Sequence, residues 1–201
     1  MLLYGASGHA KVICTCLESQ NIPIEGIFDD YKTIDKLYKY KLLGAYDPRQ
    51  LPNSEIIISI GDNGIRRTIA SEVKHPYGKV IHKEATIAST VIIGLGTVCM
   101  QNSTIQIDTV IGSHCIINTA SSIDHDCILE DYVHIAPNTT LCGNIKIGEG
   151  TLVGSGAVAI PNISIGKWAR IGAGSVIIHD IPDYAVVVGN PGKITKYNHA
   201  K

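Results

Sequence analysis

The sequence predicts two dissimilar folds joined in one chain of 201 residues: a small α/β unit over residues 1–80, and a parallel β-helix over residues 81–201 that ends in a cap. Three observations carry this. From Ile81 to Ile171 every sixth residue is aliphatic or small, sixteen positions without an insertion or deletion, fourteen of them Ile, Leu or Val. Four places further along each unit a small or β-branched residue returns, as in Ala85, Val91, Thr97, Ser103 and Thr109. A period of six fits neither a 3.6-residue helix nor an isolated strand alternating in twos, whereas short parallel strands joined by tight turns produce it. Finally, the first eighty residues lack that period and instead place short apolar runs between glycine turns and helical patterns.

Taken in order, Met1 to Tyr4 form a short apolar strand that ends at Gly5-Ala6-Ser7-Gly8-His9, and Ala10 to Ser19 follow as a helix with Val12, Ile13 and Leu17 on one face. Strand, glycine turn and helix is the Rossmann-type arrangement, in which backbone N–H groups and a helix N-terminus face an anion. The full G-x-G-x-x-G fingerprint is absent, so a plain tight turn is the other reading of the same residues. A second strand, Ile24 to Phe28, ends in Asp29-Asp30, where acids accept hydrogen bonds from a ribose or base or simply cap a loop. Residues 31–55 are polar and interrupted by Gly44, Pro48 and Pro52, and read as irregular. Ile56 to Ile60 read as a buried strand that runs into Gly61-Asp62-Asn63-Gly64. A helix from Ile65 to Lys74 then carries Arg66 and Arg67, read as surface residues, and His75-Pro76-Tyr77-Gly78 breaks it.

Within the repeat, glycine follows the aliphatic slot or sits two to three places beyond it, as in Ile147-Gly148-Glu149-Gly150, where a tight turn needs it. Six cysteines form no C-x-x-C pair, and several occupy aliphatic or small slots, so they read as buried thiols. His114, His125 and His134 avoid the inward aliphatic slots and are expected to project outward. His125 and His134 are nine residues apart, half an eighteen-residue coil, so they leave different sides of one prism. They can line one groove only if subunits pack side by side about a threefold axis. After Ile177 the period stops, and Ala185 to Lys193 form a tail that covers the open coil end.

Composition narrows the function classes. The formal charge of −1 is spread without a basic stripe, which disfavours nucleic acid. Met1-Leu2-Leu3-Tyr4-Gly5 does not resemble a signal peptide, and no apolar run reaches the length of a spanning helix, so a cytoplasmic protein with no membrane insertion is expected.

The Gly5-to-His9 turn, Asp29-Asp30, the Ile60-Gly61 strand end, Asp124-His125-Asp126-Cys127, His134 and the Gly189-Asn190-Pro191-Gly192 tail together resemble the hexapeptide-repeat sugar acyltransferases of the sialic-acid O-acetyltransferase and UDP-4-amino-sugar N-acetyltransferase family, over nearly the full length. The resemblance implies a left-handed β-helix, a homotrimer and acetyl-CoA as co-substrate. It further implies that Ser7, Gly8, His9, Asp29, Asp30 and Gly61 hold a nucleotide-sugar, that His125 is the general base, and that Asp126 orients it from a position that is usually glutamate in the 4-amino-sugar enzymes. His134, Gly143, Ser155 and Ala173 match coenzyme-lining positions, with the Gly143 amide facing the thioester oxygen. Cys127 sits in an inward slot, so direct attack without an acyl-enzyme is the expected route. The acceptor is expected to be the amine of a nucleotide-linked 4-amino-4,6-dideoxy sugar, UDP-linked before dTDP- or GDP-linked, in surface glycan synthesis; a sialic-acid hydroxyl is the alternative.

Two other classes compete. A γ-type carbonic anhydrase uses the same coil but needs a His-x4-His pair and a third His for zinc; spacings of eleven and nine do not supply it, and no metal is expected. A non-catalytic solenoid scaffold would have no use for a His-carboxylate pair and a phosphate-type turn in one chain.

Overall fold

The computed structural model describes residues 1–31 and 35–198. Residues 32–34, part of the stretch read as irregular, and 199–201 lie outside it. Among the described residues the first part is a five-stranded sheet in the order β3-β4-β2-β1-β5, built from β1 (Leu2–Tyr4), β2 (Gly26–Phe28), β3 (Lys36–Leu37), β4 (Tyr40–Gly44) and β5 (Ile56–Ile58). β1 pairs parallel with both β2 and β5, and α1 (Gly8–Ser19) makes the crossover between β1 and β2. β3 and β4 correct the irregular reading of residues 31–55. β4 runs parallel to β2, between it and the edge strand β3, and buries only Leu42, so its sequence carries little apolar signal. α2 (Asn63–Glu72) starts two residues earlier than expected because Asp62 caps it, its carboxylate accepting from the Ile65 N–H at 2.9 Å.

The sheet is buried on both faces. Leu3, Ile27 and Ile57 point toward α1, whereas Leu2, Tyr4, Phe28 and Ile56 form a second cluster with Val73. The first cluster does not end at the sheet: Val80, Val98, Met100 and Ile116 of the β-helix join it, so one apolar core ties the α/β unit to the coil.

From β6 (Val80–Ile81) to β22 (Val176–Ile177) the chain winds through two-residue strands at the predicted six-residue spacing. They stack into three parallel faces with an eighteen-residue register. Face one runs from Thr86–Ile87 to Val176–Ile177, face two from Ile92–Ile93 to Ser164–Ile165, and face three from Val80–Ile81 to Arg170–Ile171. This is the left-handed parallel β-helix of the hexapeptide-repeat type. Both repeated slots point inward, and from Cys99 onward the aliphatic slot is essentially fully buried. Each such Ile or Leu contributes roughly 1.5–3 kcal/mol of burial. β23 (Ala185–Val188) extends face three, and β24 (Lys193–Tyr197) folds back on it antiparallel across a cis Asn190–Pro191 bond. Five of the six cysteines are buried and all are free; Cys99, Cys115 and Cys127 fill inward slots of the coil, and Cys14 and Cys16 pack from α1.

Every corner of the prism holds a residue with positive φ. Between faces one and two the column is Asp108, Asp126, Asn144 and Asn162, side chains that tolerate this conformation. Between faces two and three it is Gly96, His114, Tyr132, Gly150 and Trp168, and aromatic rings there are unusual. That corner is where α2 docks.

Candidate active site

The predicted nucleotide-sugar residues converge at the C-terminal ends of the parallel strands: Ser7, Gly8 and His9 after β1, Asp29 and Asp30 after β2, and Gly61 after β5. Ligands of open parallel sheets bind at such ends. Gly5 has φ of 111°, and a Cβ there would lie 2.7 Å from the Ile60 side chain, so the turn is closed to larger residues. The Ser7 side chain makes no cap hydrogen bond among the described residues, which leaves its hydroxyl and the first amides of α1 facing outward. Asp29 has a structural task the sequence did not reveal: Oδ2 accepts from the Ala6 N–H at 2.7 Å and fixes the turn. Asp30 accepts from the Tyr4 hydroxyl and from the Tyr46 N–H.

His134 projects outward from face three, and its position, like that of His114, shows that outward is not the same as solvated. The α/β unit covers both. His134 lies 6.3 Å ring to ring from His9, and its Nε2 stands 3.1 Å from the Asn118 amide nitrogen. Burial, then the Arg66 cation and His9, push His134 down to about 3, against a smaller upward pull from its hydrogen bond with the Gly61 backbone. His9 is likewise pushed down to about 4 by burial and Arg66. Both rings are neutral at pH 7. His114 is only 6% exposed, stacked on Tyr132 at 5.2 Å with the edge of Tyr77 at 4.4 Å.

Arg66 is the main correction to the surface reading of α2. It is 1% exposed, and each of its guanidinium nitrogens is engaged. Nε donates to the His114 carbonyl at 2.8 Å, Nη1 to the Ile60 and Gly61 carbonyls at 3.0 and 3.2 Å, and Nη2 to the Tyr132 carbonyl and Asn63 Oδ1 at 2.9 and 2.8 Å. Burial lowers it to about 10, so it stays charged at neutral pH. Arg67 is exposed, as expected, and lies over the Trp168 ring at 4.5 Å beside Glu149.

His125 stands at the corner between faces one and two, away from this cradle. Its Nδ1 meets Asp126 Oδ2 at 2.7 Å, so the shorter aspartate still reaches the imidazole. The hydrogen bond to Asp126, followed by the charge of Asp124, raises the His125 pKa above its ordinary value and makes the free Nε2 a stronger base. Both side chains are open, 53% and 58% exposed. Eighteen residues on, Gly143 lies directly under the ring, where a Cβ would come 2.5 Å from Cε1. Ser155 and Ala173 occupy the third corner, between faces three and one, one coil apart, with the Gly174 N–H donating to the Ser155 carbonyl. Within one subunit, therefore, Gly143, Ser155 and Ala173, the positions expected to line the coenzyme, flank face one from its two edges, and the cradle with His134 lies over face three. A groove of about 570 Å³ on face two, lined by Lys146, Lys167, Asp180 and Asp183, belongs to neither.

Among the described residues no group of His, Cys, Asp and Glu is placed to hold a metal ion, and no helix is long and apolar enough to cross a membrane.

Two family models match: the PglD N-terminal domain over residues 1–73 and the bacterial transferase hexapeptide (six repeats) over residues 144–179. The acetyltransferase domain of PglB from Neisseria gonorrhoeae, solved with acetyl coenzyme A, is 33% identical, with 96% of this chain and 97% of that one covered and a TM-score of 0.89. The chain belongs to the hexapeptide-repeat sugar acyltransferase family. A histidine-to-asparagine variant of perosamine N-acetyltransferase from Caulobacter crescentus, in complex with CoA and GDP-perosamine, is 31% identical over 97% of this chain and 96% of that one, with a TM-score of 0.93. WeeI from Acinetobacter baumannii is 27% identical over 96% and 98%, with a TM-score of 0.83. No curated protein matches the sequence. These three neighbours extend over both parts of the chain, the α/β unit as well as the coil.

Proposed function

We propose that the protein is an acetyl-CoA-dependent N-acetyltransferase whose acceptor is the amine of a nucleotide-linked 4-amino-4,6-dideoxy sugar. The observation that carries this reading is the His125–Asp126 pair, raised in basicity and seated on Gly143, in a chain that also holds a strand-end cradle suited to a nucleotide. The neutral amine attacks the thioester carbonyl, the C–S bond breaks, and the coenzyme leaves as thiol. His125 Nε2 takes the proton from the attacking nitrogen and returns it to the departing sulfur, and Asp126 holds the ring by Nδ1. The Gly143 amide is the donor assigned to the developing oxyanion. Ser7, Gly8, His9, Asp29, Asp30 and Gly61 bind the nucleotide-sugar, and Ser155, Ala173 and His134 line the coenzyme and acceptor.

One subunit cannot bring cradle and base together, because His125 and the cradle leave different sides of the prism. A homotrimer resolves this: a neighbour's corner between faces one and two meets the edge of face three, and face one turns toward the threefold axis. UDP remains the first choice of nucleotide, with GDP next in view of the GDP-perosamine bound to the similar Caulobacter enzyme. The test is coenzyme A release with UDP-, GDP- and dTDP-linked 4-amino sugars and with sialic acid in parallel. Turnover confined to sialic acid would show the N-acetylation reading to be wrong.

A further inference from the structure

Arg66 has no part in the chemistry above, yet among the described residues it is the most deeply buried charged side chain. A buried guanidinium is costly to desolvate and is ordinarily held by a carboxylate. Here, among the described residues, all its hydrogen-bond partners are neutral oxygens, and their arrangement is specific. Two of them, the carbonyls of His114 and Tyr132, belong to the same corner in successive coils. Asn63, itself held by Arg66, donates to the Gly150 carbonyl at 2.9 Å, the next place in that column. The same guanidinium holds the Ile60 and Gly61 carbonyls at the end of β5, and the Gly61 backbone is also the partner of His134. One side chain therefore connects the strand end that forms the cradle to two rungs of the coil, residues 114 and 132, which bracket His125 in the chain.

We propose that Arg66 is a positioning residue for acetyl transfer, fixing the height of the nucleotide-sugar cradle along the β-helix axis to the level of His125. This rests on the reading of the substrate given above. In a threefold assembly the coils of neighbouring subunits lie at equal height, so a cradle set at the level of His125 in its own subunit is also level with the neighbour's His125. Adjacent coils are about 4.8 Å apart, while a misplacement of about 1 Å at a reacting centre can cost on the order of 100-fold in rate. A tie that spans two rungs removes both a slip of one coil and a tilt between the parts. The planar fork of arginine can satisfy five oxygens lying in different directions; the ammonium of lysine, with the same charge, cannot.

The test compares wild type with Arg66→Lys and Asn63→Ala, recording thermal unfolding and KM for each substrate separately. Lysine keeps the charge and loses the fork, and Asn63→Ala removes the third rung and one of the five acceptors while leaving the arginine itself and its four carbonyl partners. The expected result is a folded protein in which kcat falls about tenfold to 100-fold and KM for the nucleotide-sugar rises, while KM for acetyl-CoA stays within about twofold; Asn63→Ala shows the same split more weakly. Should Arg66→Lys fail to fold, the split in Asn63→Ala decides. Wild-type kinetics in a folded variant, or equal changes in KM for both substrates, would overturn the proposal. Failure of wild type to turn over any nucleotide-linked amino sugar would instead overturn the reading of the substrate, and this inference with it.

Discussion

Replacing Gly143 with Ala is a sharp test of how the coil holds its base. The φ of Gly143 is not in the left-handed region, so alanine meets no backbone strain there. What it meets is the His125 ring, with Cβ placed 2.5 Å from Cε1, 2.6 Å from Nε2 and 3.1 Å from Nδ1. Ordinary carbon contacts begin at about 3.5 Å, so the imidazole must retreat by about 1 Å. The 2.7 Å bond to Asp126 cannot stretch by that amount and survive as a hydrogen bond, and the ring swings out toward solvent, where half of it already lies. Such an exposed rearrangement changes stability by about 0.5 kcal/mol or less, whereas a 1 Å displacement of a catalytic group costs about 100-fold in rate. The assay is kcat by coenzyme A release together with thermal unfolding. Gly143→Ala is expected to lose about 100-fold in kcat at unchanged Tm, and to add nothing in a His125→Ala background. Wild-type turnover by Gly143→Ala, or a further loss in the double variant, would refute the idea that Gly143 acts by clearing the ring.

Four more outcomes are expected. His125→Ala lowers kcat by roughly 10² to 10⁴ with coenzyme binding retained, and a change confined to KM would remove His125 from the role of base. Asp126→Asn moves the acid limb of kcat/KM to lower pH, because the hydrogen bond to Asp126 is the leading cause of the raised His125 pKa and the ring becomes neutral earlier without it; an unmoved limb counts against the pair. Light scattering gives about three times 21.5 kDa, and a fully active monomer would contradict the shared groove. Acid stability follows from the buried rings. His9, His114 and His134 titrate at about 4, 4 and 3 in the folded protein, against 6.5 when unfolded, so the unfolded chain binds protons first and stability drops as pH falls from about 6.5 toward 4. His114→Phe, which keeps the stack with Tyr132, is expected to flatten that decline, and an equally steep decline would locate the acid sensitivity elsewhere.

The β-helix was legible because its core is nearly one-dimensional: each inward slot recurs with the same neighbours above and below, so sequence period and spatial register coincide. The Gly5-to-His9 turn and the His125–Asp126 pair were legible for a related reason, being local in sequence. What escaped was the junction. Arg66 binds backbone carbonyls, which leave no trace in the identity of the residues that supply them, and a lone arginine on a short helix looks like any surface arginine. β4 hides in the same way, as a strand with one buried side chain. A signal did exist in the corner column: His114, Tyr132 and Trp168 stand on one eighteen-residue register where other corners use Asn, Asp, Gly or Ala. Large rings at a strained turn position mark a corner that another part of the chain covers.

The thin aliphatic interior excludes indole, and the only tryptophan, Trp168, lies at that covered corner beneath Arg67. Its emission is therefore a native optical probe of the seam between the two parts, insensitive to the bulk of the coil. Fluorescence follows detachment of α2, and far-ultraviolet dichroism follows unwinding of the stacked strands. Coincident curves from the two signals mean that cradle and coil melt as one cooperative unit; a fluorescence change that precedes the loss of dichroism measures the free energy of docking by itself.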